Sequence, residues 1–99
     1  MKKLKTRIFD TAEFLSSEKD MAAYLEAAFS EGDPSLVVQA LGAIAKARGM
    51  AQIAKDTGLR RESLYKALSP EGNPEFNTVL KVVKALGIRL HAETMHAIA

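Results

Sequence analysis

The stretch MAQIAKDTGLRRESLYK, residues 50–66, decides how the chain is read. It divides at Gly58 into two short helical segments, the second opening with Arg60 and Arg61. Ile53 and Leu64 are apolar where the two segments must face a shared core. Ala54 is small where they approach each other, Gly58 stands where the turn needs relaxed backbone geometry, and Leu59 plugs the turn. Segments patterned this way are expected to form a helix-turn-helix, a unit that holds its second helix in the major groove of DNA.

The remainder supports one small domain of 99 residues, of which 47% are hydrophobic. Such a chain buries a modest core, so self-association is a reasonable expectation. The absence of cysteine excludes a disulfide framework and suits a reducing cytoplasm, the expected location. The basic start MKKLKTRIFD precedes no long apolar run, so neither export nor membrane spanning is expected.

Net charge is only +2, with a pI near 9.0, but the distribution is uneven. Lys2, Lys3, Lys5 and Arg7 make the start wholly basic. Asp10, Glu13, Glu18, Asp20, Glu26, Glu31 and Asp33 then face a single Lys19. Lys46, Arg48, Lys55, Arg60, Arg61 and Lys66 follow, against Asp56 and Glu62. A chain with one acidic and one basic region can meet two different partners.

Local signals divide the chain into a basic arm (residues 1–9), N-terminal helices (10–32), a helix-turn-helix core (33–87) and a C-terminal strand with tail (88–99). Asp10 with Glu13 reads as a capping box opening a short helix through Phe14 and Leu15. Ser17 caps a longer helix ending at Gly32, with Met21, Tyr24, Leu25, Ala28 and Phe29 as its apolar face. Asp33-Pro34 starts the next, which carries Leu36, Val37, Ala40, Leu41, Ile44 and Ala47 inward and stops at Gly49. The two motif helices are expected at residues 51–57 and 61–68, followed by the turn-rich loop SPEGNP, residues 69–74. A last helix, residues 76–86, places Phe76, Val79, Leu80, Val83 and Leu86 on one face before Gly87. Residues 88–93 alternate apolar and polar, the strand period, and residues 4–9 are a weaker strand candidate.

Residues 49–90, GMAQIAKDTGLRRESLYKALSPEGNPEFNTVLKVVKALGIRL, resemble the Xre/Cro-CI class of helix-turn-helix domains. Within that class the chain is most similar to the addiction-module antidote proteins, the HigA-like antitoxins. The discriminating marks are the run RESLYKALSPEGNPEFNTVLKVVKALG and the upstream FDTAEFLSS. The resemblance implies an all-α, lambda-repressor-like domain with extra N-terminal helices and a short C-terminal strand. It also implies a protein that neutralises a small toxin of the RelE/ParE-like superfamily and binds its own promoter as a dimer. A stand-alone phage-type (Cro/CI-like) regulator without a toxin, and an interaction module that no longer binds DNA, are the alternatives.

A groove-bound helix reads bases mainly with its first turns, which puts Arg61, Glu62, Tyr65 and Lys66 at the bases. Arginine can give guanine O6 and N7 two parallel hydrogen bonds. Glu62 either accepts from cytosine N4 or orients Arg61, and Tyr65 at the edge reaches a phosphate or a thymine methyl. Arg60 departs from the family pattern, where serine often caps the reading helix, and arginine cannot accept that helix's free N–H groups. It is expected on a backbone phosphate, with Gln52, Lys55, Lys46 and Arg48 as further phosphate contacts.

Phosphate attraction alone gives only about 10⁻⁴–10⁻⁶ M, so two protomers on half-sites of an inverted repeat are expected. Ile88, Leu90 and Ala92 would hold this homodimer, unless their strand pairs with residues 4–9 of its own protomer. For the toxin contact the acidic third offers Glu13, Glu18, Asp20 and Glu26, joined by Glu31 and Asp33, because toxins of this superfamily act on RNA and are basic. No enzyme is expected. His91 and His96 lack a ligand cluster around them, no phosphate-binding glycine loop follows a strand, and no metal or cofactor is called for.

Overall fold

The structure, a computed structural model, describes residues 17–95. The expected helix through Phe14 and Leu15, the strand candidate at residues 4–9, Glu13 and His96 lie outside that range. Among the described residues there are five helices: α1 (Glu18–Glu31), α2 (Pro34–Arg48), α3 (Met50–Thr57), α4 (Arg61–Ala67) and α5 (Phe76–Ala85).

The starts of the first two helices follow from side-chain oxygens that take free backbone N–H groups. Ser17 Oγ accepts from the Asp20 N–H at 3.1 Å, and Asp33 Oδ1 accepts from the Ser35 N–H at 2.9 Å. Pro34 follows Asp33 at the first helical position, where its missing N–H costs nothing.

α1 packs along α2, while α3 sits between α2, α4 and α5. Leu41, Ile44, Ile53, Leu64, Val82 and Leu86 form the fully buried centre. Ala40 and Ala45 are buried beside them, and Gly42 lets α2 approach the end of α4. A Cβ on Gly42 would stand 2.8 Å from the Leu68 carbonyl oxygen. No polar or charged side chain among the described residues is buried.

The apolar faces are narrower than periodicity predicts. On α1, Met21 and Leu25 are buried, but Tyr24 and Phe29 lie exposed on opposite flanks of that stripe. The reason is geometric: α1 packs chiefly against one neighbour, which covers a single stripe. Leu36, at the start of α2, is exposed as well. On α5, Val82 takes a fully buried place, while Phe76 and Leu80 face outward.

Residues 88–93 run without regular structure, and no strand forms among the described residues. α5 ends with the Gly87 N–H on the Lys84 carbonyl and the Ile88 N–H on the Val83 carbonyl, at 3.0 and 3.1 Å. This paired closure turns the chain back over the helix it has just left. Ile88 and Leu90 then pack half-buried on the protomer's own core. Their alternation with Arg89 and His91 records a tail lying across that core.

Candidate nucleic-acid interface

α3 and α4 meet through three residues, Gly58, Leu59 and Arg60. Ile53 and Leu64 are completely buried at the junction and Ala54 nearly so, while Leu59 packs half-buried against the same cluster. Gly58 has φ +78°, a left-handed conformation that strains any residue with a Cβ, and its N–H bonds the Ala54 carbonyl at 2.9 Å. Thr57, which the sequence did not single out, tightens the turn from inside. Its hydroxyl donates to the Ile53 carbonyl at 2.7 Å and accepts from the Leu59 N–H at 3.3 Å.

α4 begins without a side-chain cap. Arg60 is extended (φ −77°, ψ 146°), and its carbonyl accepts the Leu64 N–H at 3.0 Å. The first backbone N–H groups of α4 therefore remain open at its exposed end. Behind them, Leu64 and Leu68 are buried and fix the helix from below. Arg61, Glu62, Tyr65 and Lys66 are all exposed on its other side, together with Ser63. Among the described residues, none of Lys55, Arg60, Arg61 and Lys66 shares an ion pair.

The loop after α4 is tied to it. The Ser69 hydroxyl donates to the Lys66 carbonyl at 2.8 Å, and the Gly72 N–H bonds the Ser69 carbonyl at 2.8 Å. Gly72 passes so close to the last turn that a Cβ would collide with the Ala67 carbonyl oxygen. Ser63 and Lys66 from α4 and Glu71, Asn73 and Pro74 from the loop line an open depression there.

The other expected phosphate contacts separate into two groups. Lys46 and Lys55 are exposed, and Gln52 is exposed with its amide donating to Asp56 at 2.9 Å. Arg48 instead turns to α1, where its Nη2 meets Glu18 Oε2 at 3.5 Å. Glu18 also stands against the backbone at Gly87, so it joins the start of α1 to the ends of α2 and α5. Of the acidic residues read as a partner surface, Glu26 and Glu31 are exposed and Asp20 is half-exposed. Of the residues read as a dimer seam, only Ala92 is exposed, since Ile88 and Leu90 pack inward.

The described residues thus form a helical body with an acidic first helix and exposed basic side chains on α3 and α4. The comparisons give the family. The family model described as "Probable addiction module antidote protein" matches residues 5–94, and the chain belongs to that family. It is also 51% identical over 85 residues to an uncharacterised protein of Haemophilus influenzae (strain ATCC 51907 / DSM 11121 / KW20 / Rd), covering 86% of this chain and 88% of that one. No solved structure matches it. Membership implies an antidote role and, with it, a toxin partner. No helix among the described residues is long and apolar enough to cross a membrane.

Proposed function

We propose that the chain is a sequence-specific DNA-binding antitoxin of the HigA-like, Xre/Cro-CI kind. It neutralises a RelE/ParE-like toxin in the cytoplasm and represses its own toxin–antitoxin operon as a homodimer on an inverted repeat. The observation that carries the DNA half is the outward side of α4. Arg61, Glu62, Tyr65 and Lys66 stand exposed there while Leu64 anchors the helix beneath them.

In this reading α3 and α4 are the helix-turn-helix. Arg61 donates two hydrogen bonds to a guanine edge, and Lys66 and Glu62 contact neighbouring bases. Tyr65 lies at the rim against a thymine methyl or a phosphate. Arg60, Lys55, Lys46 and Gln52 hold the backbone and set the register without reading sequence. Arg48, paired with Glu18, belongs to the α1–α2 junction instead.

Support for the toxin half is the family together with the charge of α1. Asp20, Glu26 and Glu31 offer negative charge to a basic partner, which steers encounter and selects among partners. Glu18 contributes less because Arg48 neutralises it. Co-expression with the neighbouring reading frame, followed by purification through this chain, tests that half. A stoichiometric complex weakened by Glu26→Lys is expected; no co-purifying product would overturn it. The DNA half is tested by gel shift on the chain's own promoter, where a retarded band that random DNA does not compete away is expected. No shift at low salt would leave an interaction module that has lost DNA.

A further inference from the structure

We infer that the Thr57 hydroxyl is a positioning group: it sets α4 on α3, and through that setting governs preference for one DNA sequence over another. Thr57 is the last residue of α3 and is half-buried. Its hydroxyl has one hydrogen, committed to the last turn of α3, with the Ile53 carbonyl at 2.7 Å and the Ala54 carbonyl at 3.3 Å. That leaves a lone pair for the Leu59 N–H, which donates to it at 3.3 Å. One side chain thus ties the end of the first motif helix to the segment that leads into the second. The residue it spans, Gly58, has the most permissive backbone of the connection.

α4 depends on this tie because little else directs it. It is 7 residues long, no side chain caps its start, and its chief helical neighbour is α3. Leu64 and Leu68 hold its depth in the core, but apolar burial is non-directional and leaves tilt and rotation loose. A hydrogen bond carries direction. Direction matters most at the bases: arginine gives guanine two parallel hydrogen bonds only when the helix is correctly set. Contacts to the DNA backbone carry no sequence information, so a shift of α4 falls on preference before it falls on affinity. The inference rests on the DNA reading above and adds to it a residue that lies off the reading face.

Thr57→Val keeps the branched shape and removes the hydroxyl, whereas Thr57→Ser keeps the hydroxyl. In the full-length chain, Thr57→Val is expected to lower the preference for its own promoter fragment over random duplex by roughly three- to tenfold, the size of one lost hydrogen bond. Thr57→Ser should retain that preference. In an Arg61→Ala background, Thr57→Val should remove little further preference, because both changes act through the same base contact. Amide hydrogen exchange gives a readout without DNA. The Leu59 and Leu64 amides should exchange faster in Thr57→Val and recover in Thr57→Ser, while the Ile44 amide in α2 stays unchanged. An unaltered preference in Thr57→Val, or an equal loss on promoter and random DNA, would overturn the inference. So would faster exchange that spreads to Ile44, the mark of a merely destabilised fold. A wild-type chain that shifts no promoter DNA would sink the DNA reading, and faster exchange confined to Leu59 and Leu64 would still uphold Thr57 as the group that sets α4.

Discussion

α4 and α5 are short helices that touch the same core and present opposite chemistries outward. α4 buries Leu64 completely and exposes Arg61, Glu62 and Lys66. α5 buries Val82 and Val83 and exposes Phe76 and Leu80. A helix whose remaining face is charged is finished in water and waits for a charged ligand. The two outward faces thus differ in the chemistry they offer, one charged and one partly apolar, from one scaffold.

The comparison breaks first at Leu64. Leu64→Ala empties a fully buried site and is expected to cost about 2–5 kcal/mol in urea unfolding, taking promoter binding with it. Leu80→Ala, on the exposed face of α5, should change stability by less than about 0.5 kcal/mol. Equal unfolding costs for the two would erase the distinction between buried and exposed apolar residues.

Arg61→Ala should leave unfolding unchanged and cost about 1–3 kcal/mol of binding to the operator, with a smaller loss on random DNA. Lys55→Ala should weaken both DNAs alike and reduce the salt slope by about one. A base-selective loss for Lys55→Ala would exchange their roles.

Arg60 sharpens the picture because stability and binding should move in opposite directions. Its backbone already has the extended conformation of an N-cap, yet its side chain makes no capping bond. Arg60→Ser supplies an oxygen for the open N–H groups and should raise stability by about 0.5–2 kcal/mol. On the proposed reading the same change removes a phosphate contact and should lower DNA affinity. A variant that gains both would show that Arg60 does not touch DNA. The smallest effect is expected at Arg48→Ala, where the 3.5 Å pair with half-exposed Glu18 contributes no more than about 1 kcal/mol to the melting transition.

Much of this was legible before the fold. Ser17, Asp33-Pro34, Gly32 and Gly58 carry boundary signals that depend only on local backbone chemistry, and each marks a helix end where expected. The α3–α4 junction was legible too, since Ile53, Ala54 and Leu64 are constrained within seventeen residues of sequence. Tyr24, Phe29, Phe76 and Leu80 share apolar faces with buried residues yet stay exposed, because periodicity gives the direction of an apolar face but not the width its neighbour covers. At Ile88 and Leu90, which rest on the protomer's own core, alternation likewise records only which side meets apolar surface, whether a sheet or a helical core. Gly72 reads locally as a turn residue, and only the loop's seat on the Ala67 carbonyl makes a Cβ impossible there. Ser63 carried no signal beyond its position on α4.

The most direct trial of the α4 reading is a titration of wild-type and Arg61→Ala protein against operator and scrambled duplexes at two salt concentrations. The wild-type chain is expected to prefer operator, to weaken steeply with salt, and to lose most of that preference when the guanidinium is removed. Identical losses on both duplexes, or an affinity indifferent to salt, would contradict a base-reading role for this helix.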